Sequence, residues 1–508
     1  MVRRVLHAAN AIIFGNLITR AGGLVLVPLF LRYWSAARYG EYLALFAAAA
    51  YLSSLDVGMQ GAAVNRLTQA YARKDLAEYR RVQHTALAFF ILLAAGATIL
   101  MASIAWFLPV CRWLGLSLTK PATAAAVMVA LAMYVMWSMP VQVFVATHQT
   151  MGNMARSQWI RNFQQMLIVA LTVLALILGA GMRTIALLQV LTLGLVATFI
   201  FVEIRRRFPE LSPGLRSANL SVLKELAKPS FLFALIMVGN LIAYEGSILL
   251  TSALLGGLAV AVLSISKSLT DVIRLGLYSM SLALCPDYAR METLGELEKL
   301  RRTHRMTVAA TATITLAIVA TLWFEGTQLI TVWTRGRIEP DPMLLRLFLV
   351  LIAFQTSWAA SSTVARASNR HRAQAIGYFF AAIVGISSVV ALIKPLGTWA
   401  IPLGLTLGEA ICCYHFVIQE SCQIIGESYS AFAMHFWLGF AVVGTATFLV
   451  AWAVHTTPLP MLLRWVAVGS SSCAVAGIVG WMLWLTPGDR ALLVPKLYRT
   501  YSVSEMNA

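Results

Sequence analysis

Apolar residues dominate stretches of about 18 to 28 residues near 8–31, 40–63, 84–110, 122–147, 160–180 and 184–203, with polar clusters between them. A helix rising about 1.5 Å per residue needs roughly 20 such residues to cross a hydrocarbon core of about 30 Å. After the polar break "EIRRRFPELSPGLRSANLSVLKELAKPS", the pattern resumes near 230–254, 257–284, 306–333, 343–365, 375–393 and 398–419, then 433–454 and 461–486. It predicts an all-α polytopic membrane protein of about 14 transmembrane helices. The expected organisation is a six-helix bundle over 1–204, a cytoplasmic linker over 205–229 and a second six-helix bundle over 230–420. Two additional helices follow over 421–486, and then a cytoplasmic tail over 487–508.

Two short matches point to an internal repeat. "GNLI" occurs at 15–18 and 239–242, in the first helix of each six-helix set, and "YARKDLAEYRR" at 71–81 is echoed by "YARMETLGELEKLRR" at 288–302. Because six is even, both copies enter the membrane in the same orientation. Parallel bundles related by an axis along the membrane normal are the expected arrangement, with substrate sites between them.

Composition agrees with the pattern: 59% of the 508 residues are hydrophobic and 12% are charged, against about 25% charged in soluble domains. The net charge of +18 invites a nucleic-acid partner, but its distribution argues for topology instead. With the N-terminus inside, 26 of the 39 Lys and Arg fall in the N-terminus, inner loops and tail, 10 fall outside, and 3 lie within helices. Cytoplasmic N- and C-termini follow, and no nucleic-acid binding is expected. The first apolar run is too long for a signal peptide, contains Arg20 and lacks a small-residue cleavage site, so it is expected to be retained.

No nucleotide-binding GxxxxGK[ST], zinc-protease HExxH or lipase-type GxSxG is present, and the six cysteines show no metal-ligand spacing. The expectation is a protein that is not an enzyme and needs no cofactor or metal. Gly22, Gly23 and Pro28 offer a bend in the first helix or a close helix contact. Trp34, Trp113, Trp333 and Trp465 near the outer helix ends are expected to act as interface anchors.

Lys267, Asp271 and Arg274 stand inside an apolar run. At about 100° per residue they share roughly 60° of arc, hence one helix face. The other deep ionisable residues are Arg20 in helix 1, Asp56 in helix 2 and Glu245 in helix 7, with Glu409, in helix 12, having the look of a local packing partner. Six charges at about 3 kcal/mol each would total roughly 18 kcal/mol, above a folding stability of about 5 to 15 kcal/mol, so they must be paired or face water. One reading is a self-neutralising ladder with Glu245 answering Arg20. The other is a hydrated cavity lined by helices 1, 2, 7 and 8, in which fixed cations meet an anionic substrate. Asp56 can alternatively pair with inner-loop arginines.

The stretch "GNLITRAGGLVLVPLFLRYWSAARYGEYLALFAAAAYLSSLDVGMQGAAVNRLTQAYARKD", with the matching "CPDYARMETLGELEKLRR", resembles the polysaccharide-transporter branch of the multidrug/oligosaccharidyl-lipid/polysaccharide exporter superfamily. The resemblance covers roughly residues 5 to 420 in pattern and is most specific at "RYGEY", "LDVGMQ" and the basic loops. It implies a flippase with a MATE-like fold that moves an undecaprenyl-diphosphate-linked oligosaccharide across a bacterial inner membrane for O-antigen, capsule or exopolysaccharide assembly. Its partners would be that glycan, membrane lipids and other polysaccharide-assembly proteins. On this reading Arg20, Lys267 and Arg274 meet the diphosphate, while Asp56, Glu245 and Asp271 pair with them or couple an ion. A cation-drug antiporter or lipid II flippase of the same superfamily are the alternatives, with a membrane glycosyltransferase or polymerase further off because the predicted outer loops are short.

Overall fold

The computed structural model describes residues 22–485 except 24, 57, 152, 228–230, 285–286, 289–290, 293, 369 and 371. Arg20, the first "GNLI" and the tail therefore lie outside the described residues. Backbone polar groups in a bilayer must bond within their own segment, so apolar runs this long become helices. No strand occurs among the described residues.

The helices in chain order are α1 (25–33), α2 (Ala36–Ala50), α3 (Met59–Ala72), α4 (Leu76–Phe107), α5 (Pro121–Thr150), α6 (Met154–Ile177), α7 (Met182–Arg207) and α8 (Leu220–Ala227). Next come α9 (Phe231–Asn240) and α10 (Gly246–Leu255), joined without a break by a π-helical turn at Leu241–Glu245, and α11 (Gly257–Ala283). Then follow α12 (Leu297–Thr334), α13 (Pro342–Ala359), α14 (Ser362–Ala367) and α15 (Arg372–Leu396). A second π-helical turn, Ala410–Tyr414, joins α16 (Ala400–Glu409) to α17 (His415–Ile425), and α18 (Tyr429–His455) and α19 (Met461–Trp484) end the described chain.

Side-chain caps explain several helix starts. Asp75 Oδ1 accepts from Glu78 N at 2.9 Å, Asn153 Oδ1 accepts from Arg156 N at 3.3 Å, and Asp341 Oδ1 accepts from Met343 N at 3.0 Å. These caps lie ahead of the apolar windows at 84–110 and 160–180, and the helices accordingly begin at Leu76 and Met154.

Ten helical stretches are long and apolar enough to cross a membrane, or eleven with α2 and α3 taken as one span bent by 44°, among the described residues. One of them, Arg372–Ile425, has 54 residues; at about 1.5 Å each it would be more than twice as long as a bilayer core is thick. It folds instead as a hairpin of α15 against α16 and α17, turning at Gly397, whose φ is +56°. Counting the bent pair as one span, the hairpin as two, and adding the charged α11 gives 13 among the described residues; the remaining expected span, near 8–31, lies mostly outside them.

The chain forms two compact units. Among the described residues, the first takes those up to Ile265 with Trp333–Glu339 and Ile393–Thr398; the second takes Ser266–Val332, Pro340–Leu392 and those from Trp399 to Leu485. In the first unit, α3, α4 and α5 bury a core that includes Leu67, Tyr79, Phe90 and Met136. The stretch expected to be a linker is docked on this core. Leu211, Val222 and Leu226 are buried in it, Gln83 Nε2 donates to Leu211 O at 3.2 Å, and Glu225 meets Arg66 at 2.5 Å. Its charged surface hides this in the sequence, because the apolar positions are few and spaced for one face of a short helix.

In the second unit, α15 and α16 approach through small residues. A Cβ on Gly408 would lie 2.2 Å from Ala381 O, and one on Gly377 would lie 2.4 Å from Cys412 O. Gly377, Ala381 and Gly385 recur every four residues opposite Gly404, Gly408 and Cys412, so a stripe without bulky side chains lets the two backbones meet. The terminal pair is tied to α12 by Glu325, which accepts from His455 Nδ1 at 2.7 Å and Arg464 Nε at 3.2 Å.

Trp34 differs from its expected role. It is 6% exposed, packs on Phe30 and Tyr42 and donates from Nε1 to Ala180 O at 3.2 Å, so it is a core residue of the first unit rather than a lipid-facing anchor. Trp113, at 53% exposure, does face outward.

Candidate functional site

Helix α11 carries Lys267, Asp271 and Arg274 on one face, as their spacing requires. Asp271 Oδ2 lies 3.3 Å from Lys267 Nζ and its Oδ1 lies 3.2 Å from Arg274 Nε. One acid thus bridges two bases and leaves the group with a net charge of +1. All three are partly exposed, at 15%, 25% and 28% of the side-chain surface for Lys267, Asp271 and Arg274. The guanidinium of Arg274 also lies within electrostatic reach of Glu409.

Glu409 is 5% exposed at the end of α16, immediately before the π-helical turn. Its carboxylate accepts from Gln355 Nε2 at 2.5 Å and from Trp358 Nε1 at 3.1 Å. A buried carboxylate held by two neutral donors fits the local packing partner expected from the sequence.

In the first unit, Glu245 closes the other π-helical turn, and Tyr51 lies within its electrostatic reach. Such turns insert one residue into a helix and occur often at functional sites. Asp56 Oδ1 accepts from Gln60 N at 3.1 Å, so it helps to start α3 beyond Gly58, whose φ is +75°. No pairing of Asp56 with an arginine occurs among the described residues. "LDVGMQ" is thus the break that bends α2 against α3.

Three polar features were missed by reading apolar windows. Glu41, in "RYGEY", is fully buried and accepts from the backbone N–H groups of Ser117 and Leu118, each at 2.7 Å. Glu325 anchors the terminal pair as described above. Arg161, counted from the sequence with the inner loops, lies inside α6, because that helix begins seven residues earlier at Met154. There it lines a partly open cavity of about 180 Å³ together with Gln60, Gln142 and Gln149. The signal for Arg161 was the Asn153 cap, which a hydropathy window discounts.

Among the described residues, no cluster of His, Cys, Asp or Glu is placed to hold a metal ion.

No family model matches the sequence, and no curated protein sequence does either. Solved structures do match in fold. A structure titled "Lipid II flippase MurJ, inward closed conformation" aligns with a TM-score of 0.71 at 12% identity, over 96% of this chain and 99% of its own. An inward-facing multidrug resistance MATE family transporter of the MOP superfamily aligns with a TM-score of 0.66 at 16% identity, over 83% of this chain and 96% of its own. The eukaryotic MATE transporter AtDTX14 aligns with a TM-score of 0.53 at 16% identity, over 86% of this chain and 98% of its own. The chain therefore has the all-α, multi-span membrane fold that these proteins share.

Proposed function

We propose that this protein is a flippase of the bacterial inner membrane, with both termini cytoplasmic, that moves an undecaprenyl-diphosphate-linked oligosaccharide from the inner to the outer leaflet. The fold is compatible with such a role, since one protein that shares it is named a lipid II flippase. The observation that carries the reading is the face of α11, where two cations and one acid stand within a membrane helix. A diphosphate cannot enter hydrocarbon without counter-charge. Lys267 supplies a point charge, Arg274 a planar fork for phosphate oxygens, and Arg20 a third cation.

Asp271 is the internal competitor. When substrate is absent it offsets one of the two positive charges, and a diphosphate displaces it from one or both bases. Glu245 and Asp56 are proposed to pair with the bases or to couple an ion during alternating access. The glycan would belong to an O-antigen, capsule or exopolysaccharide, and proteins of its assembly would be partners. No catalytic step and no cofactor are needed for the movement itself.

A cation-drug antiporter is the second reading, favoured by the fold shared with MATE transporters and by a buried carboxylate, Glu409. The two separate by phenotype. In a deletion strain, the flippase reading expects lipid-linked glycan to accumulate in the inner leaflet with unchanged drug susceptibility. Lys267→Gln or Arg274→Gln should then fail to restore export while the protein remains in the membrane at wild-type level. If each substitution instead removes the folded protein and Asp271→Asn brings it back, the trio is a structural ladder and the reading loses its carrying observation.

A further inference from the structure

Arg161 stands apart from the other arginine of its helix. Five residues before it, Arg156 Nη2 donates to Glu203 Oε1 at 2.8 Å, an ordinary ion pair between α6 and α7. Arg161 Nη2 donates instead to the neutral Gln158, at Oε1 2.5 Å away, and no carboxylate among the described residues pairs with it. A guanidinium partly removed from water and lacking a counter-charge costs several kcal/mol unless something compensates it. The space beside it is suited to that.

The cavity at Arg161 is polar where it matters. Gln60 comes from α3, Gln142 and Gln149 from α5, and Arg161 from α6, all within the first unit. The Gln149 amide donates to Ser157 Oγ at 2.9 Å, while the side-chain amides of Gln60 and Gln142 make no hydrogen bond among the described residues. At about 30 Å³ per water, 180 Å³ is room for roughly six waters or one small oxyanion. Neutral amide N–H groups around one fixed cation favour a ligand rich in acceptor oxygens. Asp56 does not line this space, and its carboxylate is committed to Gln60 N.

Position along the helices narrows the ligand further. Arg161 is seven residues from the start of α6, about 10 Å, and Gln149 is one residue from the end of α5. The cavity is therefore near one membrane face, at the depth where lipid phosphates meet hydrocarbon, and not at the midplane. Under the orientation proposed above, that face is cytoplasmic.

We propose that the Arg161 cavity is a phosphate-binding site for the headgroup of a membrane-resident lipid. Arg161 anchors the phosphate and the Gln60 and Gln142 amides donate to its remaining oxygens. The occupant is either a phospholipid headgroup or the diphosphate of a lipid-linked substrate pausing before transport; only the second source rests on the proposed function.

The test uses the purified full chain in phosphatidylcholine nanodiscs, with inorganic pyrophosphate as one probe and increasing phosphatidylglycerol as the other. Binding is read as a shift in thermal midpoint and fitted to an apparent Kd. Arg161→Gln should weaken the responding probe at least tenfold, Arg161→Lys should recover part of the loss, and Arg183→Gln, an exposed arginine of α7 outside the cavity, should leave that response within twofold. A response to phosphatidylglycerol alone assigns the site to bulk lipid, and one to pyrophosphate assigns it to a diphosphate. Should Arg161→Gln not fold, Gln142→Leu keeps the cation and should weaken binding several-fold. Equal affinity in wild type, Arg161→Gln and Gln142→Leu would overturn the proposal, as would no response to either probe in the wild type. Arg161-dependent binding in a protein that moves no glycan would leave this site standing and remove the flippase reading instead.

Discussion

The hydroxyl of Thr119 donates to the carboxylate of Glu41 at 2.5 Å, and Glu41 thereby joins α2 to the loop that leads into α5. Its other oxygen takes the backbone N–H groups of Ser117 and Leu118. The contact is made possible by Gly40, whose Cβ would fall 1.7 Å from Gly257 O, so α2 lies directly against the start of α11. Glu41→Ala would leave these donors buried without an acceptor. Each such group costs about 1 to 3 kcal/mol, so a loss of at least about 2 kcal/mol is expected. Thermal unfolding in detergent should show a clearly lower midpoint, and an unchanged one would mean that water replaces the carboxylate without penalty.

The α15 and α16 stripe makes a sharper claim about packing. Gly408→Ala places a methyl 2.2 Å from Ala381 O, against backbone that cannot rotate away. Overpacking of this kind costs about 1 to 3 kcal/mol. Gly477→Ala in α19 is the control, since nothing lies within 4 Å of its added Cβ. The expectation is a destabilised Gly408→Ala and an unaffected Gly477→Ala; equal stability would mean that the hairpin can open at no cost.

How much of this was legible in the sequence depends on what each signal measures. Apolar length located nearly every helix because the bilayer imposes that length directly. Spacing alone brought Lys267, Asp271 and Arg274 together, since they share one helix. Arg161 and Glu41 were lost for a different reason: each is defined by a partner or a cavity contributed by other helices, which one-dimensional hydropathy does not encode. Trp34 misled because tryptophan near a helix end is common in both lipid belts and cores, and only its contact with Ala180 O distinguishes them. The docked stretch around Leu211 and Val222 was hidden by its charges, which face away from the core it covers.

Orientation is open to a direct chemical test. The basic-loop distribution expects Gly336 outside and Arg206 inside. Single cysteines at these positions should react with an impermeant maleimide in intact cells at 336 and only after permeabilisation at 206. Native Cys111 must first be changed to Ser, although burial and the nearby Glu41 carboxylate raise its thiol pKa and so slow its reaction. Labelling at 206 in intact cells would reverse the orientation and the direction of transport with it.

Glu245 offers the most discriminating measurement, because it closes the π-helical turn between α9 and α10. Asn240 Nδ2 donates to Ile236 O at 3.0 Å just before the turn, and Thr251 Oγ1 donates to Ser247 O at 2.8 Å just after it, so flanking side chains support the irregular backbone. Glu245→Gln keeps the shape and removes the charge. If Glu245 trades partners during the transport cycle, turnover in vesicles should fall at least tenfold, about 1.4 kcal/mol in the barrier, while unfolding changes by less than about 1 kcal/mol. A carboxylate locked permanently to a buried cation behaves differently, since removing one partner costs about 3 to 5 kcal/mol of stability. Deleting Ile242 removes the inserted residue and should restore regular helix bonding, turning Glu245 by roughly 100° relative to α9. That variant is expected to be stable and inactive. Normal transport per folded molecule in both variants would make Glu245 and its turn purely structural.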